Sequence, residues 1–129
     1  MPHVIVEYSA NLDEAIDVGA LCECLRNAAA AIDEIEMPGV RVRAYRADHH
    51  AIADGTDGHG FVDIAVRLRG GRPDAVKDRV AKQLFADARE FIDPYMSGNS
   101  LALSLEVRDI DPELSPKIGT IRDHLKDNQ

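Results

Sequence analysis

The chain has 129 residues, 45% hydrophobic and 29% charged, which suits one soluble domain with its own core rather than a disordered or fibrous segment. A formal net charge of −8 excludes the basic footprint that nucleic-acid phosphate requires. No apolar run approaches the ~20 residues of a membrane span and no signal peptide opens the chain, so a cytoplasmic protein without membrane or nucleic-acid partners is expected.

The chain begins Met1-Pro2-His3-Val4-Ile5-Val6-Glu7-Tyr8. Proline in second place is small enough for methionine aminopeptidase to remove Met1, which exposes Pro2 as a secondary amine. An α-amino group titrates near ~8, closer to neutrality than a lysine amine, and burial or nearby cations lower that value. A base poised near working pH is what general acid–base catalysis needs. A retained Met1 would turn the same nitrogen into a tertiary amide with no basicity. The apolar run Val4-Ile5-Val6 reads as a strand buried on both faces, able to hold the amine at the edge of a core.

A helix follows from about Leu12 to Ile35, with Ser9 or Asn11 as its cap, Asp13 and Glu14 in its first turn, and a core stripe of Leu21, Leu25, Ala28 and Ile32. Cys22 and Cys24 lie two apart on it and point away from each other, which excludes a disulfide between them. Pro38-Gly39 ends this element. Residues 40–45 alternate, with Val40, Val42 and Ala44 opposite Arg41, Arg43 and Tyr45, and form a second strand. Residues 48–60 are rich in Asp, Gly and His without periodicity. The histidines there, His49, His50 and His59, lack tight ligand spacing, so a polar loop is expected and no metal site. Residues 61–68 form a third strand, and Gly70-Gly71 turns the chain. Pro73 starts a second helix with Val76, Val80, Leu84, Ala88 and Phe91 (with Ile92) on its inner face, and Asp93-Pro94 stops it. Residues 101–108 alternate again as a fourth strand. A tail, 109–129, carries a short amphipathic stretch near its end.

Strand–helix–strand thus occurs twice, over 3–45 and 61–108, within one domain spanning 1–129. The fold class is α/β (α+β): tandem β-α-β units forming a four-stranded mixed sheet with two helices on one face. The opposite face is left without a cover, and self-association through that face is expected.

Six of the fifteen basic residues, Arg41, Arg43, Arg46, Arg67, Arg69 and Arg72, fall in one quarter of an otherwise acidic chain. That cluster suits a small anionic ligand. Taken with Pro2 and the repeat, it resembles the tautomerase superfamily, and within it the 5-carboxymethyl-2-hydroxymuconate isomerase family. The resemblance is carried by Pro2-His3-Val4-Ile5-Val6-Glu7-Tyr8-Ser9, Gly39-Val40-Arg41-Val42-Arg43, Ala53-Asp54-Gly55, Gly71-Arg72 and Leu101-Ala102-Leu103-Ser104-Leu105-Glu106. It reaches to about residue 110, and the tail matches only loosely.

The resemblance implies a homotrimer and an isomerase of homoprotocatechuate breakdown that uses no cofactor or metal. The substrate is a small di- or tricarboxylate enol. Pro2 is implied as general base and then acid, with Arg41 and Arg72 as catalytic and substrate-binding arginines and Arg43 as a further substrate-binding candidate. Guanidinium groups can grip carboxylates bidentately and stabilise the developing oxyanion, and they would lower the pKa of a neighbouring amine. Two rivals stand beside this reading: another tautomerase-superfamily enzyme acting on a different 2-oxo or enol acid, and a non-catalytic oligomeric binding protein of the same fold.

Overall fold

The computed structural model describes residues 2–126. Met1, whose removal decides whether Pro2 carries a free amine, lies outside them, as do residues 127–129 of the tail. Four strands and two helices make up the framework: β1 (His3–Ser9), α1 (Val18–Ala30), β2 (Arg41–Ala47), β3 (Gly60–Arg69), α2 (Asp74–Met96) and β4 (Leu101–Ile110). They form one mixed sheet in the order β2-β1-β3-β4. The β1–β2 and β3–β4 pairs are parallel, as strand–helix–strand units require, and the two units join through the antiparallel β1–β3 pair. This is the expected architecture.

Both helices pack on one face, where Val4, Val6, Val62, Ile64, Val66 and Leu68 meet Leu21, Leu25, Val80, Leu84 and Ile92. Val4 and Val6 are fully buried, but Ile5 between them is only half-buried. The expectation that β1 is buried on both faces is therefore corrected: within one chain only the helix side is covered. The open face is not a greasy surface either. Reading across the strands, Arg41, His3, Arg67 and Arg108 form one row, and Tyr45, Glu7, Asp63 and Ser104 another. Ile5 and Ala65 supply the apolar part of the row between them.

The first helix starts later than its composition suggests. Asp13 does not open it, because its carboxylate accepts from Tyr8 Oη at 2.8 Å and from Arg46 Nη1 at 2.5 Å. Asn11 is no cap, since its Nδ2 donates to the His59 carbonyl at 2.9 Å. Residues 10–12 form one turn of 3-10 helix, and Asp17 caps α1 by accepting from the Ala20 N–H at 3.0 Å. At its other end α1 stops at Ala30 rather than Ile35. The second helix runs past Asp93-Pro94 to Met96. Burial of Ile92, with Tyr95 and Met96 packed against the core, holds the final turn although Pro94 donates no hydrogen bond. Pro73 stands one place before α2, as its cap residue.

The connection between β2 and β3 is pinned at its far end. Gly60 begins β3 there because a Cβ would lie 2.8 Å from Leu12 Cδ2, and Leu12 is fully buried. The buried Ser9 hydroxyl accepts from the Phe61 N–H at 3.0 Å. One turn earlier, Asp54 accepts from the Thr56 N–H at 3.0 Å and lies 2.9 Å from His59 Nε2, while His59 Nδ1 lies 2.7 Å from Ser100 Oγ. The Thr56 N–H, and after it His59, hold the Asp54 carboxyl down at about 2. A depressed carboxylate contributes stability above its unfolded value near ~3.9 and loses it as pH falls through the folded value. The Tm difference between the natural protein and Asp54→Asn is thus expected to be steady from neutrality to about pH 4 and to close towards pH 2. A thermal-melt series over that range checks it, and a difference that does not change with pH refutes it.

Candidate active site

The parallel register of β1 and β2 sets His3 beside Arg41, and the antiparallel register of β1 and β3 sets Arg67 on its other side. Neighbouring strands lie ~4.8 Å apart, so the first residues of β1 are flanked by two guanidinium-bearing strands. Pro2 itself is buried. Its carbonyl accepts from the Arg41 N–H at 3.1 Å, which ties the start of the chain to β2.

Beside this point opens a cavity of about 380 Å³. Its lining includes His3, Arg41, Arg67 and Arg69 from the sheet, and the tail over residues 110–117 supplies the rest, ending in Lys117. Among the described residues, four permanent cations line it and no carboxylate does. A second cavity of about 290 Å³ shares Arg41 and Lys117 with the first and continues along the tail to Arg122. A larger cleft of about 690 Å³, between α2 and Leu105 of the edge strand β4, shares no residue with either and has mixed charge. Small-molecule sites fall in the range of about 300–1,000 Å³ and are recognised by a few convergent polar groups. The cationic cavity at the chain start meets that description best.

His3 is subject both to burial and to the arginines around it. Burial lowers its pKa first, and Arg43, Arg67 and Arg41 lower it further. Arg43 Nη1 donates to His3 Nδ1 at 3.1 Å, so His3 carries its proton on Nε2. Arg43 is in this way committed to orienting His3. Arg41 Nη1 donates to the Gly39 carbonyl at 3.3 Å while the side chain faces both cavities.

Of the residues singled out from sequence, Arg41 lines the cavity, Pro2 is tied to it through its backbone carbonyl, and Arg43 reaches the cavity's edge through His3. Arg72 is not brought to this cavity. Its Nη1 donates to the Glu34 carbonyl at 2.6 Å, next to the Arg79–Glu34 ion pair, and its Nε is buried without a partner. Arg46 pairs with Asp13 and Asp48. His59 is occupied by Asp54 and Ser100, His49 and His50 are exposed, and no three His, Cys, Asp or Glu side chains among the described residues group as metal ligands. Sequence reasoning noted Arg67 and Arg69 only as members of a cluster and passed over Lys117. The alternation of β3, which places Arg67 and Arg69 on the face of His3, was the available signal for the first two. Nothing in the local sequence marks Lys117.

Comparison with known proteins gives a consistent picture. A family model described as 5-carboxymethyl-2-hydroxymuconate isomerase matches residues 2–125. The 5-carboxymethyl-2-hydroxymuconate Delta-isomerase of Escherichia coli is 29% identical over 117 residues, covering 91% of this chain and 93% of that protein. A crystal structure of a 5-carboxymethyl-2-hydroxymuconate delta-isomerase aligns with a TM-score of 0.89 at 29% identity, covering 100% of this chain and 95% of the other. The isomerase of Deinococcus radiodurans R1 aligns with a TM-score of 0.86 at 28% identity, covering 95% and 92%.

Proposed function

The chain belongs to the 5-carboxymethyl-2-hydroxymuconate isomerase family, and from that premise we propose that it converts 5-carboxymethyl-2-hydroxymuconate to its conjugated 2-oxo isomer in homoprotocatechuate breakdown. The observation that carries this reading is the cavity at the chain start, where four cations and, among the described residues, no carboxylate face a space of small-molecule size. An acidic protein that gathers positive charge in one concavity fits a polyanionic substrate.

The reaction moves a proton from the 2-hydroxyl to carbon 5. Pro2, freed of Met1 and neutral, takes the hydroxyl proton. Electron density shifts through the conjugated system, and the prolinium returns a proton at carbon 5. One group serves as base and then acid, and the pyrrolidine ring fixes its geometry. Negative charge on the 2-oxygen and the adjacent carboxylate is met by Arg41, which the β1–β2 register holds beside the N-terminal strand. Arg43 acts one step back, through His3. Arg72, with a partnerless Nε, is proposed to hold a carboxylate when a neighbouring subunit completes its surroundings.

We further propose a homotrimer. The open sheet face is half apolar at Ile5 and Ala65 and charged around them, and the tail exposes Leu114, Ile118 and Ile121. Both features suit burial against further copies of the chain.

The test is ketonisation of 5-carboxymethyl-2-hydroxymuconate followed by ultraviolet absorbance, on protein whose intact mass shows Met1 removed. Rapid conversion is expected from processed protein and none above background from protein that keeps Met1. Absence of turnover by correctly processed protein would overturn the assignment of substrate.

A further inference from the structure

Resting on the isomerase reading above, we propose that Arg67, Arg69 and Lys117 form a second carboxylate subsite beyond Arg41. This subsite makes the cavity select substrates with two or more carboxylates over monocarboxylates.

The first ground is the pairing of charge. The chain has 23 Asp and Glu against 15 Lys and Arg, so carboxylates are abundant. Arg46, Lys77, Arg79 and Arg108 each meet one. Among the described residues, Arg67, Arg69 and Lys117 form no ion pair, and all three line the same cavity. Like charges brought together without counter-charge repel, and an anionic group between them removes that repulsion.

Position supplies the second ground. Arg67 and Arg69 stand two apart on β3 and so face the same way, with Arg67 directly across from His3. Arg69 lies opposite Ile110, where the tail departs from the sheet. A ligand whose reacting end lies at Pro2 and Arg41 would extend its far end along β3 past these two guanidiniums. Their planar forks suit bidentate carboxylate binding, and the lysine adds a mobile point charge.

The third is that the tail is tied down on both sides of Lys117. The Gly70 N–H donates to the Ile110 carbonyl at 2.8 Å, Ser115 Oγ donates to the Asp111 carbonyl at 2.5 Å, and Arg122 pairs with Glu36 at 3.4 Å. Between these ties the segment lies along both cavities that flank Arg41. Lys117 is therefore delivered to the site by a strap far from it in sequence, and the tail sets specificity as well as covering the cavity.

The experiment uses the full chain with Met1 removed and the variants Lys117→Ala, Arg69→Gln and Lys117→Arg. Lys117 and Arg69 are exposed, so these changes do not touch the core. For 5-carboxymethyl-2-hydroxymuconate, Lys117→Ala and Arg69→Gln are each expected to raise KM by roughly 10-fold, the size of one charge-assisted hydrogen bond, with the loss falling on KM rather than kcat. Lys117→Arg is expected to recover most of it. The enol of phenylpyruvate, a monocarboxylate, should show no matching loss. Calorimetric titration with propane-1,2,3-tricarboxylate and with propanoate needs no turnover. The natural protein should prefer the tricarboxylate, and Lys117→Ala and Arg69→Gln should lose that preference. Equal losses on both enols, or a preference that the variants keep, would overturn the subsite while leaving the isomerase reading intact. A preference that tracks these residues in a protein that does not turn over the muconate would uphold the subsite and overturn the substrate assignment.

Discussion

Pro2→Ala, made in protein with Met1 removed, is expected to lower kcat/KM for the muconate by about 10²–10⁴-fold, the range of a lost general acid–base. Alanine leaves a primary amine at the same place in the chain, so basicity survives in part. What is lost is the secondary amine of a ring whose direction is fixed by β1 and by the hydrogen bond between the Pro2 carbonyl and the Arg41 N–H. The base that lines the cavity itself is His3, whose pKa is lowered by burial and by Arg43, Arg67 and Arg41 and whose Nδ1 is already occupied by Arg43. Rates of Pro2→Ala and His3→Gln, measured against pH with matched intact masses, separate the two. A near-normal rate in Pro2→Ala with a collapsed rate in His3→Gln would transfer the base role to His3. The arginines around the chain start favour the neutral amine. In the processed protein, kcat/KM is therefore expected to rise to a plateau at a pH below the ~8 of an ordinary α-amino group.

Arg41→Ala carries the second large effect, a loss in kcat of about 10²–10³-fold, as for removal of one preorganised donor to a developing oxyanion. Among the described residues, Arg41 is the arginine that borders both cavities and is hydrogen-bonded through its backbone to Pro2. Arg41→Lys keeps the charge but loses the planar fork, so only part of the rate should return. Because Arg41 Nη1 also donates to the Gly39 carbonyl, the melting temperature of each variant must be read beside its kinetics. A loss of rate that follows a loss of stability would show a structural role. Arg72→Ala makes a useful contrast, since Arg72 bonds the Glu34 carbonyl away from the cavity of this chain. A drop in rate at unchanged stability would place it in a neighbour's site, and a lowered melting temperature alone would confine it to holding the end of the first β-α-β unit.

Several elements were legible in the residues alone because their cause is local. Alternation over 40–45 and 101–108 and the 3.6-residue stripe of Val80, Leu84, Ala88 and Ile92 follow from which side chains a strand or helix presents to one face. Helix ends were less legible. Asp13 and Asn11 have the chemistry of caps, but a partner distant in sequence claims each, Arg46 for one and the His59 carbonyl for the other. Pro94 has the chemistry of a stop, yet the burial of its neighbours carries the helix through it.

The same division holds for the site. Residue chemistry and repeat pattern by themselves determined that this chain pairs two β-α-β units, presents Pro2 at the head of a strand and sets Arg41 on the strand beside it, because alternation and pairing order are properties of short segments. Only the tertiary structure decided which of six clustered arginines share a cavity. Register across β1 and β3 brings Arg67 and Arg69 to Pro2's end of the sheet, carboxylates and carbonyls elsewhere claim Arg46 and Arg72, and the tail returns to add Lys117. Charge acts through space over a few ångströms, so which cations act together depends on how the strands pair and where the chain doubles back, not on their spacing along it.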